Sequence, residues 1–330
     1  MRQLLIAAAA LMATAAPAAA TDVHAHRGGA LKSGMPLAPE NSLSAFRSAH
    51  RRGASVVELD VHVSKDHVPF VMHDATLERT TDCSGPVADQ TARQVGKCHI
   101  DIVGTNDAFR RAPGSKERVP RLAAVLRWAK KRGARLNVEI NHYPTEPSFD
   151  PTSRFVTAEL DAIAASHIPK RLILIQSFLP ANLAPARKRG YRTALITFSG
   201  SNGQALAIAR SEGIPVIEPQ WPVDRAFVKR AHAAGRKVIP YTLGKRSELR
   251  AAAAAGVDGV ISDDPTRARR TLRCFGAGRR YRAARRELAA AQRALKNAKD
   301  PAAKRRAAAR VKTAQRKVGK TRRVRRRACA

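Results

Sequence analysis

Two carboxylates two residues apart, Glu58 and Asp60 in VVELDV, are the clearest chemical signal in the sequence. Residues i and i+2 of a strand share a face. In a strand this apolar, the pair would repel in a buried setting unless a cation lay between them. Glu139, in the apolar run LNVEI, adds a third carboxylate of the same kind. Three converging carboxylates suit one hard divalent cation, Ca2+ or Mg2+, with water completing its shell. HAHRGG sets His26 and Arg27 ahead of two glycines, a grouping suited to bringing an anion close to backbone, and VPFVMHD ends on His73 and Asp74. Imidazole titrates near neutral pH, so His26 and His73 are the candidates for proton transfer. Glu40 and Asn41 precede a helical segment; they reach the rim of a site, or Asn41 or Ser42 caps the helix. His24, two residues before His26, shares its face and reads as a packed structural histidine. Gln176, Ser177, Glu218 and Tyr241 end later apolar runs and are secondary candidates for touching substrate.

The elements that must position these residues form a regular series. Eight apolar runs lie between residues 22 and 265: VHAHRG, VVELDV, LNVEI, LILIQSF, TALITF, PVIEP, KVIPYT and DGVISD. Segments such as NSLSAFRSAHRRG, RLAAVLRWAKKRG and DRAFVKRAHAAGR separate them, with apolar residues at helical spacing and a glycine where each helix should stop. Eight such units predict a (β/α)8 TIM barrel, whose carboxyl-terminal strand ends gather polar residues on one face. VPFVMHD follows VELDVHV too closely for a crossover helix, so it reads as the return arm of a hairpin that brings His73 back beside Glu58 and Asp60. Residues 75–119 then show little periodicity and form an insertion expected to cover one edge of the site.

The two ends of the chain differ from this body. Residues 1–20, MRQLLIAAAALMATAAPAAA, have the layout of a secretory signal, with cleavage near Ala20 and a secreted or envelope-associated product. The barrel is expected over residues 21–270 and a basic tail over 271–330. From Arg267 onward there are 25 lysines and arginines against Glu287 and Asp300, a net +23 of the total +35. The tail reads as two helices, from about Gly278 to Lys299 and from Pro301 to about Lys320, folding back at Asp300-Pro301 into a basic α-helical hairpin. Such a charge attracts an anionic polymer or membrane surface, while the near absence of aromatic residues disfavours base-stacking recognition of nucleic acid. Four cysteines allow three pairings. Folding the two tail helices back returns Cys329 to Cys274, which leaves Cys83 with Cys98.

HRG near the start, PEN before the first helix, ELDVHVSKDHVPFVMHD, NVEI, QSF and the closing GVDGVISDDP occur in order, and together they resemble the glycerophosphodiester phosphodiesterase family. The resemblance runs from about His24 to Pro265. It implies a metal-dependent barrel that hydrolyses glycerophosphodiesters to glycerol 3-phosphate and an alcohol. Residue by residue, it implies that His26 and His73 are the acid–base pair, Arg27 contacts phosphate, and Glu58, Asp60 and Glu139 hold the metal. Two positions depart from the family pattern. Asn141 stands where a lysine is usual, a cation for which Lys245 or His142 could substitute, and Tyr241 stands where a tryptophan usually walls the glycerol pocket. Two rival readings are a phospholipase D-like or phosphatidylinositol-type lipid phosphodiesterase and an inert protein that binds anionic polymer.

Overall fold

Alternation within each apolar run decides what faces the barrel interior and what faces the surrounding helices. The computed structural model describes residues 21–106, 108–146 and 149–330, so the expected signal segment lies outside the described residues. Eight parallel strands form the barrel: β1 (Asp22–Ala25), β2 (Val56–Val63), β3 (Leu136–Ile140), β4 (Ile173–Ser177), β5 (Arg192–Thr197), β6 (Val216–Pro219), β7 (Lys237–Val238) and β8 (Gly259–Ser262). Sheet order follows chain order from β1 to β7, and β8 pairs with β1. Every residue of β2 is buried. Val57, Leu59 and Val61 pack on the helices, while Glu58, Asp60 and His62 alternate with them toward the interior.

The seam between β7 and β8 is nearly closed rather than laddered. Ile261 N donates to Pro240 O at 2.9 Å and Leu243 N to Ile261 O at 3.0 Å. KVIPYT was expected to form a full strand, but regular pairing stops at Val238, two residues before Pro240, which has no N–H to offer a ladder. The barrel is wrapped by α1 (Leu43–Arg51), α2 (Leu122–Arg132), α3 (Arg154–Ala165), α4 (Pro180–Lys188), α5 (Asn202–Ser211), α6 (Arg225–Ala233), α7 (Arg246–Ala255) and α8 (Pro265–Asn297). Ser42 caps α1 by accepting from Ala45 N at 3.1 Å, and Gly133 ends α2 in the left-handed conformation. Phe46, Leu59, Leu126, Leu136, Leu160 and Ile163 are fully buried between strands and helices. Each contributes about 1.5 to 3 kcal/mol by leaving water.

The predicted return arm is present. Pro69–Val71 runs antiparallel to β2 with Val71 opposite Val61, and Met72 N donates to Asp60 O at 3.1 Å. His73 therefore starts beside the end of the strand that carries the carboxylates. The insertion that follows has its own core of Leu77, Val87, Val95, Ile100 and Ile102 under Phe70 and Met72. It is crosslinked by Cys83–Cys98. Its order comes from a one-turn helix, Ala92–Val95, and the antiparallel arms Ile102–Thr105 and Ala108–Arg111, elements too short for periodicity to reveal.

Helix α8 does two jobs. Ala268, Thr271 and Leu272 are buried in its opening turns, after which it continues through Asn297, so no break separates barrel from tail at residue 270. The tail helix was expected to begin near Gly278; it begins at Pro265, where Asp264 caps it by accepting from Arg267 N at 2.9 Å. Helix α9 (Pro301–Cys329) folds back along it. Tyr281, Ala284, Leu288, Ala291 and Leu295 alternate at spacings of three and four, as do Val311, Ala314, Val318 and Thr321, the spacing of a coiled-coil seam. This seam is rich in alanine, and Cys274–Cys329 closes it at the barrel end, 55 residues apart in sequence. Among the described residues no helix is long and apolar enough to cross a membrane.

A crosslink closing a loop of that length contributes about 4 kcal/mol in the chain-entropy account. The double variant Cys274→Ser/Cys329→Ser is expected to lose helical ellipticity at low salt in a transition below that of the barrel. One unsplit transition at the wild-type temperature would show that the seam holds without the crosslink.

Candidate active site

The mouth is organised by a turn that interrupts the first strand. β1 ends at Ala25, and His26–Gly28 form a tight turn in which Arg27, Gly28 and Gly29 have φ of 48°, 88° and 61°. A side chain at Gly28 would put Cβ 2.8 Å from Ala45 Cβ and Phe46 Cδ1, so only glycine lets the turn sit on α1. The turn aims Arg27 N at Glu58 Oε2, 2.6 Å away. It also separates two histidines that period-two spacing alone would place together. His24 remains in the strand, 1 % exposed, and accepts from Asn137 Nδ2 at 3.3 Å. Burial lowers its pKa to about 4, so it is a packed neutral histidine.

Glu58, Asp60 and Glu139 converge, each with a carboxylate oxygen within 4.8 Å of the others. Gln176 bridges two of them, donating to Glu58 Oε1 at 2.9 Å and Glu139 Oε2 at 3.1 Å. Tyr143 donates to Glu139 Oε1 at 2.7 Å. Asn41 donates to Asp60 Oδ2 at 2.7 Å and accepts from Asp60 N at 3.3 Å. Burial, then the repulsion of Asp60 and Glu139, pushes Glu58 well above the carboxylate range. Burial and Asp60 push Glu139 up to about 7. An oxygen-only cluster with an excess of negative charge and two carboxyls held reluctantly ionised fits a hard divalent cation.

Each of the two candidate histidines, His26 and His73, has a carboxylate behind it. His26 Nδ1 lies 2.6 Å from Asp263 Oδ1, and His73 Nδ1 lies 2.6 Å from Asp74 Oδ1. Both rings thus keep Nε2 free for proton transfer. Burial of His73 opposes its charging, but the Asp74 hydrogen bond together with the negative charges of Asp60 and Glu139 outweighs this and raises its pKa. Burial would raise Asp74 too, yet His73 and Arg79 hold it well below the carboxylate range. The backbone of His73 is also fixed, its carbonyl accepting from His62 Nε2 at 2.8 Å and Asn141 Nδ2 at 2.7 Å.

Glu40 is buried, not a rim residue. It accepts from Arg27 Nη1 at 3.1 Å, Arg79 Nη2 at 2.6 Å and Thr105 Oγ1 at 2.7 Å. Burial alone would raise its pKa, but Arg27 and Arg79 hold it down at about 2. It therefore ties the insertion to the arginine, as Asn41 ties α1 to Asp60, and Ser42 rather than Asn41 caps the helix. Arg27 Nε lies 3.6 Å from Asp60 Oδ2. Neither proposed substitute for the missing lysine fits the lysine's place. His142 turns into the helical layer to pair with buried Glu159 at 2.7 Å, and Lys245 is 82 % exposed beside Glu248.

Ser177 donates to Ile140 O and is fully buried, a structural role. Glu218 lies deeper, accepting from Asn137 at 3.1 Å. Tyr241 stands at the mouth, its hydroxyl on Thr197 O at 3.2 Å and its ring edge-on to Phe178, which stacks on Phe198 at 4.6 Å. Sequence reading overlooked Asp263, Arg79 and Tyr143. Asp263 had a usable signal: it is the first acid of SDDP at the carboxyl end of β8, and the second, Asp264, caps α8.

Residues 26–267 match the model of the glycerophosphoryl diester phosphodiesterase family. A Bacillus subtilis protein described as uncharacterized protein YqiK is 31 % identical over 77 % of this chain and 99 % of its own length. A Caldanaerobacter subterraneus glycerophosphodiester phosphodiesterase is 28 % identical over 74 % of this chain and 95 % of its own. Among solved structures, an Oleispira antarctica phosphodiesterase in complex with the product sn-glycerol-3-phosphate superposes with a TM-score of 0.63 at 24 % identity, over 76 % of this chain and 96 % of that one. At these identities the structural likeness speaks for the barrel fold.

The raised pKa of Glu139 makes divalent binding and stability depend on pH. An unfolded glutamate ionises near its ordinary value of 4.5, whereas folded Glu139 does so near about 7. Without a cation, stability is thus lost as pH rises from roughly 4.5 to 7. The rise in melting temperature produced by Ca2+ or Mg2+, compared with chelator at each pH, should grow across that window. An increment that stays flat or shrinks would contradict a shared carboxylate site.

Proposed function

The chain belongs to the glycerophosphoryl diester phosphodiesterase family, and from that premise we propose that it hydrolyses glycerophosphodiesters to glycerol 3-phosphate and an alcohol. The observation that carries the reading is the pairing of two carboxylate-backed histidines, His26 with Asp263 and His73 with Asp74, around one buried carboxylate cluster. A diester carries a single negative charge that repels a nucleophile. A divalent cation, when bound by Glu58, Asp60 and Glu139, would neutralise that charge as it redistributes. Arg27, held between Glu40 and Asp60, adds a fixed positive charge beside the same site. One histidine takes the proton of the attacking hydroxyl and the other gives one to the departing alcohol. Water and the neighbouring glycerol hydroxyl are the two available attackers, and isotopic oxygen from solvent distinguishes direct hydrolysis from a cyclic intermediate trapped early.

The secretory layout of residues 1–20 and the paired cysteines support export to an oxidising compartment. A second reading, an intact-lipid or lysolipid substrate, is favoured by one observation. Met35, Leu37 and Phe198 are 68 %, 41 % and 65 % exposed. They stand on the loops after β1 and β5, which lie across the mouth from one another.

His26→Ala and His73→Ala should each lower turnover by at least about 10²-fold while the protein stays folded. Excess chelator should abolish turnover, and added Ca2+ or Mg2+ should restore it. Near wild-type turnover in either variant would remove that histidine from the mechanism. Parallel rates on glycerophosphodiesters and lysolipids decide between the two substrate readings: a lysolipid preference that Phe198→Ala removes would select the second.

A further inference from the structure

The helical hairpin carries 21 lysines and arginines between Cys274 and Cys329, against Glu287 and Asp300. Among the described residues one ion pair forms between its helices, Lys317 with Glu287. Arg325 lies 5.4 Å over Tyr281. The remaining cations are spread around the rod. Arg279, Arg286 and Arg293 recur every seven residues on α8. On α9, Arg305, Lys312, Arg316 and Arg323 share one outward face, flanked on one side by Lys304, Arg322 and Arg326 and on the other by Arg306 and Arg310; all of these are exposed.

The direction of the rod follows from the barrel. α8 begins at the mouth, where Asp264 caps it next to the Asp263 that holds His26. Like every barrel helix it then runs back against the strands. From Cys274 to Asn297 it continues without interruption, a span of roughly 35 Å at 1.5 Å per residue. The rod therefore points away from the catalytic mouth.

We propose that this hairpin is a binding arm for a flexible linear polymer with phosphate in its backbone, held by charge on the side of the molecule opposite the mouth. Charge on every outward face matches a chain that can wrap, whereas a flat bilayer or a stiff duplex touches one side. Val324, 42 % exposed, is the large apolar side chain that the hairpin leaves exposed, which gives a bilayer little to hold by insertion. Of the two aromatic rings between the tail cysteines, Phe275 is half-buried at the base of the hairpin and Tyr281 is covered by Arg325, so bases have no stacking platform.

The test uses the full-length, disulfide-bonded protein and long-chain inorganic polyphosphate as probe. Affinity, followed by fluorescence anisotropy, should fall by about 10³-fold or more between 50 and 200 mM salt, the behaviour of about seven or more phosphate contacts at ~0.7 each. The variant Arg305→Gln/Lys312→Gln/Arg316→Gln/Arg323→Gln keeps good helix formers. With ellipticity unchanged, it should flatten the logarithmic salt slope by about 3, from four lost contacts at ~0.7 each. Turnover of a small soluble diester should be the same in the variant, and unaffected by saturating polyphosphate at buffered free divalent concentration.

Binding that the variant leaves intact would overturn the proposal, as would no binding at all. Anionic vesicles or duplex DNA binding as tightly, with an equal slope, would assign the rod to a surface or a duplex instead. Competition between polyphosphate and the diester would put the polymer at the mouth. The binding arms do not depend on what the barrel hydrolyses, so they stand or fall separately from the catalytic reading.

Discussion

Three carboxylates within 4.8 Å of one another inside an otherwise apolar barrel are the constraint around which this molecule is arranged. Such a cluster is unstable on its own, because burial removes the water that would screen it. The structure answers with neutral donors from separate parts of the chain. Arg27 N comes from the turn after β1, Asn41 from the approach to α1, Gln176 from β4 and Tyr143 from the loop after β3. Each donor fixes the position of the element that carries it. The close fit of Gly28 against α1 is one result, since only there does the Arg27 amide meet Glu58.

The insertion is bound into the same arrangement. Arg79 bridges Asp74 and Glu40, and Thr105 also donates to Glu40, so a segment with a separate small core is attached to the catalytic side through one buried carboxylate. The support of His73 thus depends on residues beyond the barrel proper. The support of His26 is simpler, a single aspartate at the end of β8. The two histidines are held by parts of the structure that differ in size and in how they fold, though the contact made to each ring has the same 2.6 Å length.

Much of this was legible in the sequence, for identifiable reasons. Glu58 and Asp60 stand out because a period of two forces them onto one face of a strand whose other face is Val57, Leu59 and Val61. The return hairpin was legible because four residues cannot hold a crossover helix. Asp263 was harder to read, because its role depends on β8 lying beside β1, a contact between opposite ends of the barrel. Arg79 was hidden in a segment whose elements are each three or four residues long. Proline at 240 explains why the seventh run looks like a strand in composition yet pairs regularly over two residues. His142 illustrates the opposite error: it neighbours site residues in sequence, but its partner Glu159 lies on α3, and only packing shows that the ring turns away.

The unbroken course of α8 from the barrel into the hairpin also bears on how the hairpin becomes ordered. Starting a helix is the unfavourable step, with a nucleation constant of roughly 10⁻³, while extending it is nearly neutral or favourable. An alanine-rich helix with repelling cations and a thin apolar seam is poorly placed to start alone. Here the first turns of α8 are fixed by the Asp264 cap and by burial of Ala268 and Leu272. The barrel thus provides the nucleus, and the hairpin helix grows from it by propagation.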